Sequence, residues 1–320
     1  MPPILALVTD NHGIPDDVSL QGLGLASRLA AGGPVHALVG HPDTASALGG
    51  WGATTIHLPQ HPAFGTYTPD AVARTLADLA TRLGVAAVVG PGTEIGNAVL
   101  ARAAARMDVP FAANCVAATL GDPTAVTRLR WGGSLHEEAL VHASPAVLTA
   151  AAHAIAAQAV PGGTASVESF TPDLDEADLA VHVVDMIPAP AGGVSLADAK
   201  VVVSGGRGAG SAEGFQPIEE LAALLGAAVG CSRAVTMSGW RSHTDQVGQT
   251  GTKIAPNLYI ACGISGATQH MAGAKGAKKL LAINKDADAP IMAAADYAVI
   301  GDLHAILPAI SAEIRRVRGA

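Results

Sequence analysis

The sequence predicts an α/β protein of two domains, each a mostly parallel sheet flanked by helices, with the second sheet doubly wound. Three observations carry this. Short apolar runs alternate with stretches of helix length, the pattern of crossover units. Each run ends in a turn of Gly, Pro, Asn or Asp, as in Asp10-Asn11-His12-Gly13 and Gly90-Pro91-Gly92-Thr93. Aromatic residues make up only 3% of the 320 residues, and alanine is abundant. Such a composition suits close helix packing on parallel sheets better than an aromatic-rich sandwich.

Taken in order, the first domain has strand-like runs at Ile4 to Val8, Val35 to Val39 and Val85 to Val89. Between and after them lie helical stretches at Ser19 to Ala31, Pro69 to Leu83 and Glu94 to Met107. A Pro- and Gly-rich region from Pro161 to Gly193 follows, which sets the boundary near residue 190 and the domains at 1–190 and 191–320. The second series opens with a strand at Ala199 to Val203 and a helix from about Gln216 to Leu225. Further strands are expected at Leu258 to Ala261, Lys279 to Ile283 and Tyr297 to Ile300, and a closing helix at Leu303 to Val317.

Composition removes several function classes. With 49% apolar and 14% charged residues the chain can bury a core, and disorder is excluded. A formal charge of −8, without a basic run before the Arg315, Arg316, Arg318 cluster, gives no footprint for a nucleic-acid backbone. The apolar start lacks a preceding positive region and a cleavage site, so a buried strand and a cytoplasmic location are expected. No span is expected in the uncharged Ala139 to Val167, because Pro145, His142, His153, Gln158 and Gly162-Gly163 interrupt it. Cys115, Cys231 and Cys262 stand far apart, as small core residues rather than a zinc site or disulfide framework. There is no HExxH, GxSxG or Walker loop, and Pro59 and Pro62 argue against a helix holding His57 and His61. Glu137 and Glu138, being adjacent, point to different faces and read as solvated surface.

Four segments remain, all in the second half, three of them running from a strand into a turn. Gly205-Gly206-Arg207-Gly208-Ala209-Gly210 allows backbone to approach an anion, although Ser211 replaces the last glycine of a GxGxxG. Asp245 to Gly251 and Leu258 to His270 concentrate amides, hydroxyls and glycines in two loops. Ala282-Ile283-Asn284-Lys285-Asp286 repeats the pattern. Together they suit one composite pocket for a large polar ligand.

In these segments the second half closely resembles the alpha subunit of electron transfer flavoprotein. The resemblance rests on Gly205 to Gly208, Cys231-Ser232-Arg233, Gln246-Val247-Gly248-Gln249-Thr250-Gly251, Leu258 to Gly273, Ala282 to Asp286, and Ala295-Asp296-Tyr297 leading to Asp302. The first half is compatible with the family but less diagnostic. The resemblance implies a heterodimeric electron carrier whose alpha carboxyl-terminal domain holds most of the FAD, one per heterodimer, with AMP on the beta subunit. It implies that Arg207 and Ser232 contact the phosphate-bearing part of FAD and that Arg233 extends over the isoalloxazine ring. Gln249 and Thr250 would sit at the flavin edge, Thr250 near N5, with Val247 and Gly248 in the same loop. Ser265, Gly266 and Ala267 would hold the pyrophosphate. Thr268, Gln269 and His270 would follow along the ribityl chain to the N1/C2 edge, and Asn284, Asp302 and Leu303 would secure the adenosine end.

Flavin reduction places negative charge near N1 and the C2 carbonyl, so a histidine donor and a nearby arginine raise the potential. No substrate-transforming residue is required, and no metal site is expected. The implied partners are the beta subunit, acyl-CoA or other flavin dehydrogenases as donors, and a quinone oxidoreductase as acceptor, which makes fatty acid β-oxidation the expected setting. The amino-terminal domain would form the lasting interface, leaving the flavin domain free to reorient. Three rivals stay open: a bifurcating, NADH-using relative with a second FAD in the beta subunit, an NAD-dependent dehydrogenase, and a non-redox nucleotide-binding module. The dehydrogenase is opposed by the imperfect glycine motif and the lack of an acidic residue placed for ribose. Lys253 and Trp240 receive no role.

Overall fold

The computed structural model describes residues 2–11, 13–133, 135–184 and 195–319. The chain divides into two compact units, Met1–Ile187 and Pro188–Ala320. The boundary expected near residue 190 lies outside the described residues.

The first unit is built on a nine-stranded sheet. Its strands are β1 (Ile4–Leu7), β2 (Val35–Leu38), β3 (Thr55–Pro59), β4 (Ala87–Pro91), β5 (Phe111–Thr119), β6 (Thr124–Arg130), β7 (Leu135–Val141), β8 (Ala146–Ala150) and β9 (Ser166–Phe170). They lie in the order β9-β3-β2-β1-β4-β8-β5-β6-β7. The pairs from β9 to β5 are parallel, and β5, β6 and β7 are antiparallel. Successive residues of β1 face opposite sides, so Ile4 and Ala6 join one core and Leu5 and Leu7 another. Helix α1 (Asp17–Ala30) covers the first, and α3 (Pro69–Leu83) and α4 (Glu94–Arg106) cover the second. Two short helices, α2 (Pro42–Ala47) and α5 (Glu176–Leu179), also belong to this unit.

The expected helices fall within two residues of their places. Several strands went unread for a physical reason. The antiparallel strands β6 and β7 lack the continuous apolar run of a parallel strand buried on both faces, and β9 is an edge strand exposed over most of its length. Within β7, Glu137 lies 3.0 Å from Arg128 across the ladder, so it is ion-paired as well as surface-facing.

The second unit is a five-stranded, all-parallel sheet: β10 (Val201–Gly205), β11 (Ala228–Cys231), β12 (Leu258–Cys262), β13 (Leu280–Asn284) and β14 (Tyr297–Ile300). Their order is β11-β10-β12-β13-β14. One face packs on α6 (Gln216–Leu225), α7 (Arg233–Met237) and α10 (Leu303–Arg318) through Ile218, Leu221, Val235 and Leu307. The other packs on α8 (Thr268–Ala274) and α9 (Pro290–Ala294) through Ala274 and Ile291. Helices on both faces make the sheet doubly wound, as expected. All three cysteines are free and buried. Among the described residues no helix is long and apolar enough to cross a membrane.

Candidate cofactor site

In a sheet of this order the chain leaves β10 in one direction to reach β11 and in the other to reach β12. Ligands of open α/β sheets bind at such a switch, outside the carboxyl ends of the strands. The loops after β10, β11 and β12 all meet there. The first and third are locked backbone to backbone: Gly206 N–H donates to the Cys262 carbonyl (2.8 Å) and Gly208 N–H to that of Gly263 (3.0 Å). A Cβ on Gly206 would stand 2.2 Å from the Gly263 oxygen, so this approach requires glycine. Beneath it, the buried Phe215 ring fills the space that a Gly205 side chain would take.

Arg207 lies exposed in the turn after β10, and Arg233 lies exposed at the start of α7. Neither forms an ion pair among the described residues. Ser232 caps the backbone of α7 by position, its N–H donating to the Gly205 carbonyl (3.0 Å), while its hydroxyl makes no capping bond. The backbone N–H groups of Ser265, Gly266 and Ala267 find no protein acceptor among the described residues, and Ser265 and Ala267 are exposed. Gln249 N–H donates to the Gln269 carbonyl (2.7 Å), joining the loop before β12 to α8. Gly248 is buried at this contact, and Thr268 and Gln269 are exposed on the first turn of α8.

His270 is only 7% exposed. Its Nε2 lies 2.7 Å from the Tyr259 hydroxyl, and its Nδ1 is buried without a hydrogen-bond partner. Burial pushes its pKa down to about 4, opposed by the Val247 backbone, so the ring is neutral at physiological pH. The Val247 side chain is itself core, leaving its backbone as the part that faces the loop.

A second group sits along the sheet. Asn284 Nδ2 donates to the Ile264 carbonyl (2.9 Å), and its Oδ1 accepts from Asp286 N–H (3.1 Å). Asp302 accepts from His304 N–H (2.9 Å) at the start of α10 and pairs with Lys285 (3.0 Å), which together hold its carboxyl below the usual range. Leu303 is buried, its side chain packed under the Gly263 turn. These three shape the turns after β13 and β14 and spend their side chains on protein contacts.

Sequence reasoning missed the polar supports. Gln246, 1% exposed, reaches Thr236 Oγ1 (2.8 Å) and Thr250 Oγ1 (2.9 Å), and Thr236 Oγ1 in turn reaches the Arg233 carbonyl (2.9 Å). One buried amide thus links the Arg233 and Thr250 loops. Tyr259 was visible only as an aromatic within an apolar strand. Its hydrogen bond to a residue eleven positions on depends on the β12–α8 turn. Trp240, half-buried, packs against the α6–α10 core, and Lys253 is exposed.

The fold and these loops define an α/β protein whose amide-rich loops meet at a switch point of the second unit's parallel sheet. Comparison with known proteins gives the family. Residues 4–175 match the electron transfer flavoprotein domain, and residues 195–275 match the electron transfer flavoprotein FAD-binding domain. The chain is 37% identical over 323 residues to the electron transfer flavoprotein subunit alpha of Mycobacterium tuberculosis, covering 100% of both chains. It is 33% identical over 311 residues to the subunit of that name from Thermoanaerobacterium thermosaccharolyticum, covering 94% of each. It is also 35% identical over 312 residues to Protein FixB of Clostridium saccharobutylicum, covering 95% of this chain and 93% of that one. The chain belongs to the electron transfer flavoprotein alpha-subunit family, whose members are electron carriers rather than substrate-transforming enzymes.

Proposed function

We propose that this chain is the FAD-holding subunit of a heterodimeric carrier that takes electrons from flavin dehydrogenases, acyl-CoA dehydrogenases among them, and passes them to a quinone oxidoreductase. The observation that carries this reading is the convergence, at one switch point, of three unpaired backbone N–H groups and two exposed arginines. FAD offers what each lacks: a pyrophosphate for amides and cations, and a ring edge that gains negative charge on reduction. Bound there, FAD supplies reversible acceptance of electrons.

The residues divide the work by their chemistry. Ser265, Gly266, Ala267, Arg207 and Ser232 bind the phosphates, and Arg233 balances charge beside the ring. Thr250, held by Gln246, presents a hydroxyl that can follow the protonation of a ring nitrogen. Val247, Gly248, Gln249, Thr268, Gln269 and His270 line the ring and its chain, and Asn284, Asp302 and Leu303 shape the adenosine end. One FAD per heterodimer, with AMP on the beta subunit, belongs to the same proposal.

The first unit is assigned to the beta subunit. Its antiparallel edge exposes Leu135 (54%), Leu140 (60%) and Trp131 (77%), beside a groove of about 410 Å³ lined by Ala117, Val126 and Ala139 among others. Exposed apolar surface of this kind marks an interaction site.

The test is the electron source. With the heterodimer under anaerobic conditions, an acyl-CoA dehydrogenase and its substrate should bleach the flavin band while NADH alone leaves it unchanged. Reduction by NADH would assign the chain to the bifurcating kind of carrier instead.

A further inference from the structure

The loop that carries Thr250 is tied at its base by Gln246. The Gln246 N–H donates to the His243 carbonyl (3.0 Å), its carbonyl accepts from Thr252 N–H (2.7 Å), and the next N–H, of Val247, donates to the Cys231 carbonyl (2.9 Å). The loop is thereby closed on itself and joined to the carboxyl end of β11, with Thr250 exposed on it. Gln246 is only 1% exposed, so its side chain reaches no ligand directly.

What that side chain does reach is a hydroxyl at each end. Its Nε2 donates to Thr250 Oγ1 (2.9 Å), and its Oε1 accepts from Thr236 Oγ1 (2.8 Å). A threonine hydroxyl has one proton to give and accepts through its oxygen. Because Thr250 accepts from Gln246, its own proton is spent on no protein group among the described residues and is left for a ligand on the exposed side. A glutamate here would accept only, drawing the Thr250 proton inward. A leucine would leave both hydroxyls unsupported.

We infer that Gln246 is a positioning residue: by donating to Thr250 it turns the threonine proton outward, towards the ring edge of the bound cofactor. This rests on the reading that the Thr250 loop borders FAD. It explains why a buried residue with no ligand contact of its own is an amide, held at its far end by a hydroxyl from α7.

The test is a double-mutant cycle in the FAD-loaded heterodimer, read as the one-electron midpoint potential. A donor is worth more to a charged acceptor than to a neutral one, so its loss disfavours the reduced cofactor. Thr250→Val should lower that preference roughly five- to tenfold, at most about 59 mV on a one-electron couple. Gln246→Met should lower it in the same sense by roughly two- to fivefold, because the hydroxyl is freed rather than removed. The double variant should match Thr250→Val, since Gln246 acts only through that hydroxyl. A shift with Thr250→Val but none with Gln246→Met, or effects that add, would overturn the inference while leaving Thr250 at the cofactor. No shift with Thr250→Val would remove the reading beneath it. If Gln246→Met does not fold, the unsubstituted oxidised heterodimer, ¹⁵N-labelled at its glutamine side chains, decides: Nε2 protons of Gln246 in contact with Thr250 are expected, and contact with Thr236 instead overturns the proposal.

Discussion

Gly266→Ala is expected to strip the heterodimer of FAD and to destabilise the second unit by about 2–5 kcal/mol. Two costs combine at this residue. Its φ of +81° lies in the region that L side chains rarely adopt. A Cβ placed there would also stand 2.5 Å from the Ile291 nitrogen and 2.7 Å from its Cα. Because these are backbone atoms at the start of α9, no rotamer change relieves the clash. The Ser265 carbonyl accepts from Ile291 N–H at 3.1 Å, so any displacement of α9 is transmitted to the loop whose free amides are assigned to the pyrophosphate. Chemical denaturation of the variant should show a lowered midpoint for the second unit, and gel filtration should separate protein from flavin. A variant that keeps FAD with unchanged affinity would mean that this loop does not cradle the phosphates.

The second large effect is on acid stability. Burial holds the pKa of His270 in the folded chain at about 4, below the ordinary histidine value of about 6.5. A depressed folded pKa means that the unfolded chain binds the proton more readily. Stability from this group is therefore complete above about pH 6.5 and is lost as pH falls towards 4. The loss approaches about 3 kcal/mol for the cofactor-free chain. His36 and His57, stacked with Nδ1 and Nε2 2.9 Å apart, are also held down chiefly by burial and add a loss of the same sign in the first unit. The contribution of His270 is isolated by comparison with His270→Gln, which can still accept from Tyr259 but does not titrate. Denaturant midpoints measured from pH 7 to pH 4 should fall more steeply for the unsubstituted chain. Parallel curves would show that the ring is not buried as a neutral base.

Much of this is legible in the sequence, and the parts that are not have a common cause. The parallel strands that carry the site are short apolar runs that end at, or one residue before, Gly, Ser or Asn, a local signal that places Gly205, Cys262 and Asn284 near the carboxyl edge. The strand order is not local, and only the order brings the β10 and β12 turns into contact. The antiparallel strands β6 and β7 escaped because neither is buried on both faces. Within the site, the motif residues were readable as a set but their burial was not. Val247 and Leu303 spend their side chains on the core, and Asn284 and Asp302 spend theirs on the backbone and Lys285. The supports, Gln246 and Tyr259, depend on contacts across a turn, and residue type alone does not mark them.

The central claim is that the switch-point loops of the second unit hold FAD. Its most direct test is the visible spectrum and flavin content of this chain co-purified with its beta subunit, with FAD released by denaturation and quantified against protein. The account predicts a yellow complex with one FAD per pair, and loss of that flavin when Arg207 and Ser265 are replaced together by Ala. A colourless complex that takes up no added FAD, or a flavin that survives both substitutions undiminished, would contradict it.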